Sequence, residues 1–392
     1  MTRPALHTRI CDLFGIEYPI IQTGMGWVAG ARLTAATSQA GGLGILASAT
    51  MTLEQLRTAI ADVKSRTEKP FGVNLRSDQP DVKDRVDLMI ASGVKVASFA
   101  QAPGKELIKR LKGAGILTMP TIGARRHAEK VAEWGVDAVI AQGHEGGGHT
   151  GAVPTSLLLP QVTSAVDIPV LGAGGFFDGR GLVAALAFGA CGIAMGTRFL
   201  MTKESTVPDA VKRIYLDTPV TGTVVTRSID GHPQRVIRTA VIDGLERSSR
   251  LASLARALRH AWTFRRLTGT SMWSLLREGL AMKKGNELSW SQLAMAASAP
   301  MLTRATMVDG RTEVGILPTG QNVGVIDELP TVAELLQRIM READAALARL
   351  GVPDAAPDVA HGSVTDAVKD VLRTQSRDAQ HDAAREGLTH GG

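Results

Sequence analysis

The chain has 392 residues, 44% hydrophobic and 21% charged, a composition typical of one or two globular domains with a large core. Its two cysteines, Cys11 and Cys191, argue against a disulfide framework and for a reducing compartment. The N-terminus lacks the apolar core of a signal peptide, and no uncharged run approaches the length that spans a bilayer; we therefore expect a cytoplasmic protein with no membrane partner. The net charge of +6 raises the question of an anionic ligand or nucleic acid, which the position of the charge must decide.

From residue 19 onward, short apolar runs alternate with longer amphipathic segments. This alternation predicts βα units and a parallel sheet. The predicted strands are Pro19–Gln22, Gly44–Leu46, Phe71–Asn74, Val94–Phe99, Ile116–Thr121, Ala138–Gln142, Val170–Ala173 and Gly192–Met195. The helical patterns between them include Leu53–Lys64, Asp81–Ala91, Gly104–Lys112, Arg126–Trp134 and Arg180–Phe188. Eight such units predict an α/β fold of the (β/α)8 TIM barrel type. The alternative, a doubly wound sheet, usually has a G-x-G-x-x-G turn after its first strand, and this sequence lacks it.

After Arg198 the alternation stops. Residues 199–224 are predicted to form a connector with short extended pieces. Residues 245–284 are helix-like and hold nine Lys or Arg against two acids, so much of the net charge is local to this segment. Thr331–Leu350 predicts an amphipathic helix with Glu334 in capping-box position. The predicted parts of the chain are a barrel (1–200), a connector and small basic helical cap inserted after the eighth strand (201–300), a return segment with a helix packing on the barrel (301–352) and a polar, partly disordered tail (353–392).

A glycine-rich stretch, Gly172–Gly179, follows the seventh predicted strand directly and precedes a helix. Backbone amides of such a loop can bind phosphate, and in (β/α)8 barrels this site commonly lies after strands seven and eight. The eighth strand leads into Gly196 and Thr197, which could complete it. No Gly-Lys-Ser/Thr follows, so the stretch is not a P-loop. The alternative is that Gly172–Gly179 is only a tight turn. The nearby Gly196 and Thr197 favour phosphate binding instead.

The sixth predicted strand runs into a loop, residues 143–151, with five glycines and two histidines. His144 and His149 are five apart with three glycines between them, which cannot hold a zinc-binding helix, and no third ligand is evident. We therefore expect no metal. A histidine can exchange a proton near neutral pH, and we expect this role for His149. For His144 a structural role is the alternative to a contact with substrate.

Small residues at Gln22–Gly26, the end of the first predicted strand, would let a flat ring such as an isoalloxazine lie against backbone. Asn74 ends the third strand and Gln142 ends the sixth, and each adds an amide group that could bind polar ring atoms or ribityl hydroxyls. Each feature alone is weak, because polar residues at strand ends often only cap loops. Their convergence on one rim of a barrel is what indicates a site.

These motifs, taken in order, resemble the FMN-dependent (β/α)8 group that includes nitronate monooxygenases (2-nitropropane dioxygenase-like proteins) and flavin-type enoyl-acyl-carrier-protein reductases. The chain is also similar to flavin reductases of actinobacterial steroid-ring catabolism, which act on coenzyme A thioesters. The resemblance covers residues 10–200 well and 200–350 loosely. The matching stretches are Gln22–Val28, Ala40–Ile45, Lys69–Asn74, Ala141–Gly151, Ala173–Gly179, Gly196–Phe199 and Gly320–Gln321.

The resemblance implies one non-covalent FMN at the barrel mouth. His149 coincides with the family's catalytic histidine. The chain departs from the family at Gly146, which usually is alanine, and at His144, which usually is apolar or small; His144 is therefore a candidate substrate contact. The predicted cofactor-binding residues are Gly24, Met25, Gly26, Asn74 and Gln142 near the ring, Gly147 and Gly148 in the histidine loop, and Gly174, Gly175, Gly196 and Thr197 at the phosphate.

Two enzymatic functions follow, and we favour the first. In the first, NADH or NADPH reduces FMN, and FMN passes hydride to an enone or unsaturated acyl thioester while His149 donates a proton. The basic cap, with Arg265 and Arg266, would hold the phosphates of a coenzyme A substrate. The alternative is a nitronate monooxygenase that oxidises alkyl nitronates with O2. Nucleic-acid binding by the basic segment is disfavoured, because it holds few aromatics and no known motif. A homodimer is the candidate oligomer.

Overall fold

The fold is a closed barrel of eight parallel strands, seen in a computed structural model that describes residues 4–246, 290–314 and 316–351. Along the chain the strands are β1 (Ile20–Gln22), β2 (Leu43–Ala47), β3 (Phe71–Leu75), β4 (Val96–Phe99), β5 (Leu117–Ile122), β6 (Val139–Gln142), β7 (Gly148–His149), β8 (Val170–Ala173), β9 (Ile193–Met195), β10 (Thr223–Thr226) and β11 (Gln234–Ile237). β1 pairs in parallel with β2 on one side and with β9 on the other, which closes the barrel. The predicted (β/α)8 fold is confirmed, and no strand bound differs from its prediction by more than about two residues, within the usual uncertainty of such bounds.

Helices lie between the barrel strands and continue beyond them. They are α1 (Arg9–Phe14), α2 (Ala31–Gln39), α3 (Leu53–Arg66), α4 (Val82–Ala91), α5 (Lys105–Gly113), α6 (Arg125–Glu133), α7 (Thr155–Thr163), α8 (Gly179–Ala187), α9 (Thr197–Leu200), α10 (Asp209–Leu216), α11 (Ala240–Glu246), α12 (Trp290–Met307) and α13 (Val332–Arg349). Short 3-10 turns occupy Pro4–Leu6, Thr312–Val314 and Gln321–Val325. The five helices predicted between the strands are confirmed as α3, α4, α5, α6 and α8.

Apolar side chains from the strands fill the barrel interior. Ile21, Ile45 and Ile140 are buried in one cluster there, and Ile10 and Phe14 of α1 belong to the same cluster. Strands of a parallel sheet are buried on both faces, so they read as continuous apolar runs rather than as alternating ones. That property makes the strands of this barrel recognisable in the sequence.

The predicted helix at the end of the described chain is confirmed as α13. Thr331 Oγ1 accepts a hydrogen bond from the Glu334 backbone N–H at 3.2 Å, and the Glu334 carboxylate accepts one from the Thr331 N–H at 2.8 Å. This capping box satisfies two backbone donors that a helix start otherwise leaves unpaired. α13 packs closely on the start of α8: a Cβ added at Gly179 would lie 2.2 Å from the backbone nitrogen of Ala343.

The segment after the barrel differs from its prediction. Residues 199–224 were predicted to form a connector with short extended pieces, but 209–216 form the helix α10, which buries Val211 and Tyr215 against the core. Next, β10 and β11 form an antiparallel hairpin, and β7 pairs with the free edge of β11. This small sheet therefore connects the hairpin to the histidine loop.

The division of the chain into four parts stays a prediction. Most of the basic helical cap, including residues 247–289, and the tail 353–392 lie outside the described residues. Within the part of the chain that the structure describes, no helix is long and apolar enough to cross a membrane.

Candidate active site at the barrel mouth

A cavity of about 430 Å³ lies at the carboxyl ends of the barrel strands. Asn74 at the end of β3, Gln142 at the end of β6, Ala173 at the end of β8 and Met195 at the end of β9 all line it. The carboxyl ends of the strands are where (β/α)8 enzymes place their active sites, and the volume falls in the range of cofactor sites. The cavity is therefore the candidate active site.

Every residue predicted to bind the cofactor lines this cavity, and so does His149. The prediction drew these residues from five separate loops of the sequence, and the fold brings them together. They are Gly24, Met25, Gly26, Asn74, Gln142, Gly147, Gly148, Gly174, Gly175, Gly196 and Thr197.

Two glycines in the lining stand where the backbone comes close to a neighbour. A Cβ added at Gly24 would lie 2.4 Å from the Cβ of Asn74, and one added at Gly147 would lie 2.5 Å from the backbone nitrogen of Gly320. Side chains at these positions would have to displace the neighbouring element. The cavity is thus bounded there by bare backbone, which suits close contact with a flat ring or a phosphate.

The side of the cavity near β8 and β9 offers backbone and hydroxyl groups. Gly174 and Gly175 follow β8 with φ of +97° and +85°, a conformation that favours glycine. Thr197 follows β9, and its Oγ1 accepts a hydrogen bond of 2.8 Å from the Gly320 N–H. The strand-end loops and the 319–322 segment therefore surround one pocket of small residues, a setting that fits a phosphate group.

Contacts at its ends fix the histidine loop. The Glu145 carboxylate accepts hydrogen bonds from the Thr155 N–H at 2.9 Å and from its hydroxyl at 2.8 Å, while the Glu145 carbonyl accepts one from the Gln321 N–H at 2.9 Å. On the other side, the backbone of His149 pairs with Gln234 of β11. The loop is therefore held to the barrel by one end and to the hairpin by the other.

The His149 ring contacts a carboxylate, Asp230, that was not among the predicted site residues. Its Nε2 lies 2.7 Å from Asp230 Oδ2, and the Gln234 amide nitrogen lies 3.1 Å from the same ring nitrogen. The Gln234 amide also donates to Asp230 Oδ2. His149 is 64% exposed and Asp230 18%, so a ring open to the cavity is oriented by a largely shielded carboxylate.

Asp230 is held in its ionised form. Burial alone would raise the pKa of Asp230, but hydrogen bonds from His149 and from the His232 backbone N–H (3.0 Å), with the charge of these histidines, together lower it. The carboxylate is therefore charged at neutral pH. It can accept a hydrogen bond from a ring N–H of His149 and stabilise that ring when it carries a second proton.

Gln142 has a contact that depends on Gly146. Its amide nitrogen donates to the His149 carbonyl at 2.7 Å, and a Cβ added at Gly146 would lie 2.6 Å from that nitrogen. The glycine at 146 therefore leaves the space in which the Gln142 side chain lies.

His144 is placed differently from His149. It is not among the residues that line the cavity, and its Nδ1 lies 2.8 Å from the Gly151 carbonyl oxygen, a contact within the loop. This hydrogen bond fits the structural alternative, and contact of His144 with substrate stays a prediction. Arg265 and Arg266, predicted to hold substrate phosphates, lie outside the described residues.

The sequence did carry a signal for Asp230 that pattern reading missed. Asp230-Gly231 lies between two β-branched runs, and Asp-Gly between such runs is a strong hairpin signal. Gly231 has φ of +85° in the turn. Further residues that line the cavity without having been predicted to do so include Thr23, Trp27, Gln234, Pro300, Thr303, Met307, Gly320 and Asn322.

Comparison with known proteins gives the family. Residues 7–342 match the nitronate monooxygenase family. The chain is 59% identical over 341 residues to a (3aS,4S,5R,7aS)-5-hydroxy-7a-methyl-1-oxo-octahydro-1H-indene-4-carboxyl-CoA dehydrogenase of Mycobacterium tuberculosis, covering 86% of this chain and 96% of the relative. A protein of the same name from Rhodococcus jostii is 54% identical, over 88% of this chain and 98% of the relative. A probable nitronate monooxygenase of Staphylococcus saprophyticus is 33% identical, over 60% of this chain and 80% of the relative.

Solved structures agree with this grouping. FabK from Thermotoga maritima superposes with a TM-score of 0.71 at 34% identity, covering 88% of this chain and 98% of that one. A nitroalkane oxidase from Streptomyces ansochromogenes gives a TM-score of 0.69 at 28% identity, covering 87% and 99%. With a family match across most of its length and relatives above half identity, this chain is a flavin-dependent oxidoreductase of the nitronate monooxygenase family.

Proposed function

We propose that this enzyme exchanges a hydride between bound FMN and the carbon pair next to the thioester carbonyl of a coenzyme A ester, whose acyl group is a fused alicyclic ring derived from a steroid. The observation that carries the proposal is the 59% identity, over 86% of the chain, to a protein named as the dehydrogenase of such an ester. The nitronate monooxygenase relative matches at 33% over 60% of the chain. The acyl-CoA relatives therefore support this substrate class over a nitronate.

FMN fits the cavity in size and lining. Gly174, Gly175 and Thr197, at the ends of β8 and β9, would hold its phosphate. Gly24 and the Asn74 amide would hold its ring. The flavin, when bound, supplies a two-electron acceptor or donor of hydride.

The protein's own part in the reaction is to move a proton. A hydrogen on the carbon next to a thioester carbonyl is acidic, and His149 is the group we propose to remove it as hydride leaves the neighbouring carbon. Asp230 would orient the ring and stabilise the imidazolium that results. In the reverse direction the same His149 would return the proton. Atoms and electrons then balance: the acyl group exchanges one proton and one hydride, and a carbon–carbon double bond forms or disappears.

The proposal also includes the direction of hydride transfer. The relatives are named dehydrogenases, so we propose that the saturated thioester donates hydride to FMN. In the reverse exchange, NADH or NADPH reduces FMN and FMN reduces an unsaturated thioester, and this remains the predicted role of the nicotinamide nucleotide.

Anaerobic mixing tests the proposal. Holoenzyme is mixed separately with a saturated fused-ring acyl-CoA, NADH, NADPH and an alkyl nitronate, and flavin absorbance is followed. We expect the acyl-CoA to bleach the flavin. Bleaching by the nitronate with none by the thioester would refute the proposal and favour nitronate oxidation. Bleaching by NADH or NADPH would identify the nicotinamide partner.

A further inference from the structure

Trp27 has a backbone conformation that a tryptophan rarely adopts. It lies in the turn between β1 and α2, closed by hydrogen bonds from the Val28 and Ala29 N–H groups to the Met25 carbonyl. Its φ is +65°, and among the residues described it is the one residue other than glycine with positive φ. Glycine would adopt this conformation without strain. A bulky residue at such a position indicates that its side chain is needed.

The side chain of Trp27 contacts helix α12. Its indole Nε1 donates a hydrogen bond of 3.1 Å to the Pro300 carbonyl. The Arg304 guanidinium lies 5.7 Å from the ring centroid, in cation–π range. The half-buried ring packs on the core at the same time. Trp27 therefore joins a helix that comes some 270 residues later to the turn beside the cavity.

Helix α12 presents one face to the cavity. Pro300, Thr303 and Met307 line it, and their spacing of three and four residues puts them on the same side of a helix. Trp27 lines the cavity next to them. The indole and this face of α12 together form a wall of the site that the predicted cofactor residues do not account for.

We propose that Trp27 fixes α12 as the substrate-side wall of the cavity, and that this wall selects a bulky alicyclic acyl group over a small linear one. The inference rests on the proposed acyl-CoA function. A rigid apolar wall of one indole, one proline ring and one methionine side chain complements a fused ring, whereas a short chain would leave that wall unfilled. Trp27 is thus a specificity-determining residue, and it acts on α12 as well as on substrate.

Three variants of the full-length holoenzyme test this. Trp27→Phe keeps an aromatic ring but loses the N–H that bonds Pro300, and Trp27→Gly removes the ring and relieves the backbone. Trp134→Phe is the matched control: Trp134 also carries a cation–π contact, from Lys130 Nζ at 5.1 Å, but it does not line the cavity.

The first measurement needs no turnover. Amide hydrogen exchange of α12 should be faster in Trp27→Phe than in wild type and in Trp134→Phe, because the helix loses a tether. Equal exchange in all three proteins would overturn the role of Trp27 in fixing α12.

The second measurement compares kcat/KM for a fused-ring acyl-CoA and for butyryl-CoA. Trp27→Gly should lower the ratio by about tenfold, mainly through KM for the fused ring. An unchanged ratio would overturn the selective role, even if α12 exchanges faster. If no acyl-CoA reduces the wild-type flavin, the proposed function and this selectivity both fail, and the exchange rates still decide whether Trp27 fixes α12.

Discussion

Replacing Asp230 with Asn removes the charge that faces His149 while keeping the shape of the side chain. The carboxylate accepts hydrogen bonds from the His149 ring at 2.7 Å and from the Gln234 amide. A hydrogen bond to a charged group contributes about 1.5–3 kcal/mol when it is shielded from water. Because the His149 side chain is 64% exposed, solvent replaces part of this interaction, and we take the lower figure. A loss of about 1.5 kcal/mol in the transition state corresponds to roughly a tenfold slower reaction.

The rate of flavin reduction by acyl-CoA at neutral pH measures this effect. The low pKa of Asp230 keeps the carboxylate ionised in wild type at that pH. Asp230→Asn should therefore react about tenfold more slowly, since the charged partner that orients the His149 ring is gone. FMN content should not change.

Asp243→Asn is the control for that experiment. Asp243 follows the same hairpin and pairs with Arg238 at 2.8 Å, but it does not line the cavity. It should leave the rate as in wild type. A full rate in Asp230→Asn would refute the reasoning, because the carboxylate would then neither orient His149 nor stabilise its protonated form.

Three further changes test other parts of the site. His149→Ala should leave FMN bound and slow turnover by about 10²–10⁴-fold, the usual loss for a general acid or base; unchanged turnover would remove His149 from the chemistry. Gly147→Ala should release FMN, measured by flavin fluorescence, because the new Cβ would lie 2.5 Å from the backbone nitrogen of Gly320. Gly104→Ala is the control, because a Cβ there meets nothing within 4 Å. Equal FMN affinity in the two variants would contradict the close-contact argument. Replacing Arg265 and Arg266 together with Ala should raise KM for an acyl-CoA and spare a nitronate or quinone; equal losses would show that these residues do not bind phosphate.

The barrel was predictable because its signals are local. Each strand is a short buried run such as Val170–Ala173, and glycine directly follows β5, β6, β8 and β9. The cavity-lining residues that were predicted to bind the cofactor lie at or just after the ends of those same strands, so predicting a strand also predicts the position of its loop. Asn74 and Gln142 were found in this way, although 68 positions separate them in the sequence.

The partner of His149 was not predictable by the same means. Asp230 comes 81 residues later and reaches the ring because β7 pairs with β11, a long-range contact that the local pattern of neither segment specifies. β7 has only two residues, Gly148 and His149, and no periodicity can be read from two residues. Helix α10 was missed for a related reason: its eight residues give only a short pattern.

Gly146 connects the cofactor side of the site to the proton side. A glycine here leaves room for the Gln142 side chain, which extends from a barrel strand and donates to the carbonyl of His149 at 2.7 Å. Gln142, which lines the cavity at the end of β6, is thereby hydrogen-bonded to the backbone of His149, the proposed base. The His149 ring is in turn hydrogen-bonded to Asp230. An alanine at 146 would bring its Cβ to 2.6 Å from the Gln142 nitrogen and push the amide away from that carbonyl. The space left by Gly146 and the hairpin that carries Asp230 therefore act on the same residue: the first lets Gln142 bond the backbone of His149, and the second holds its ring.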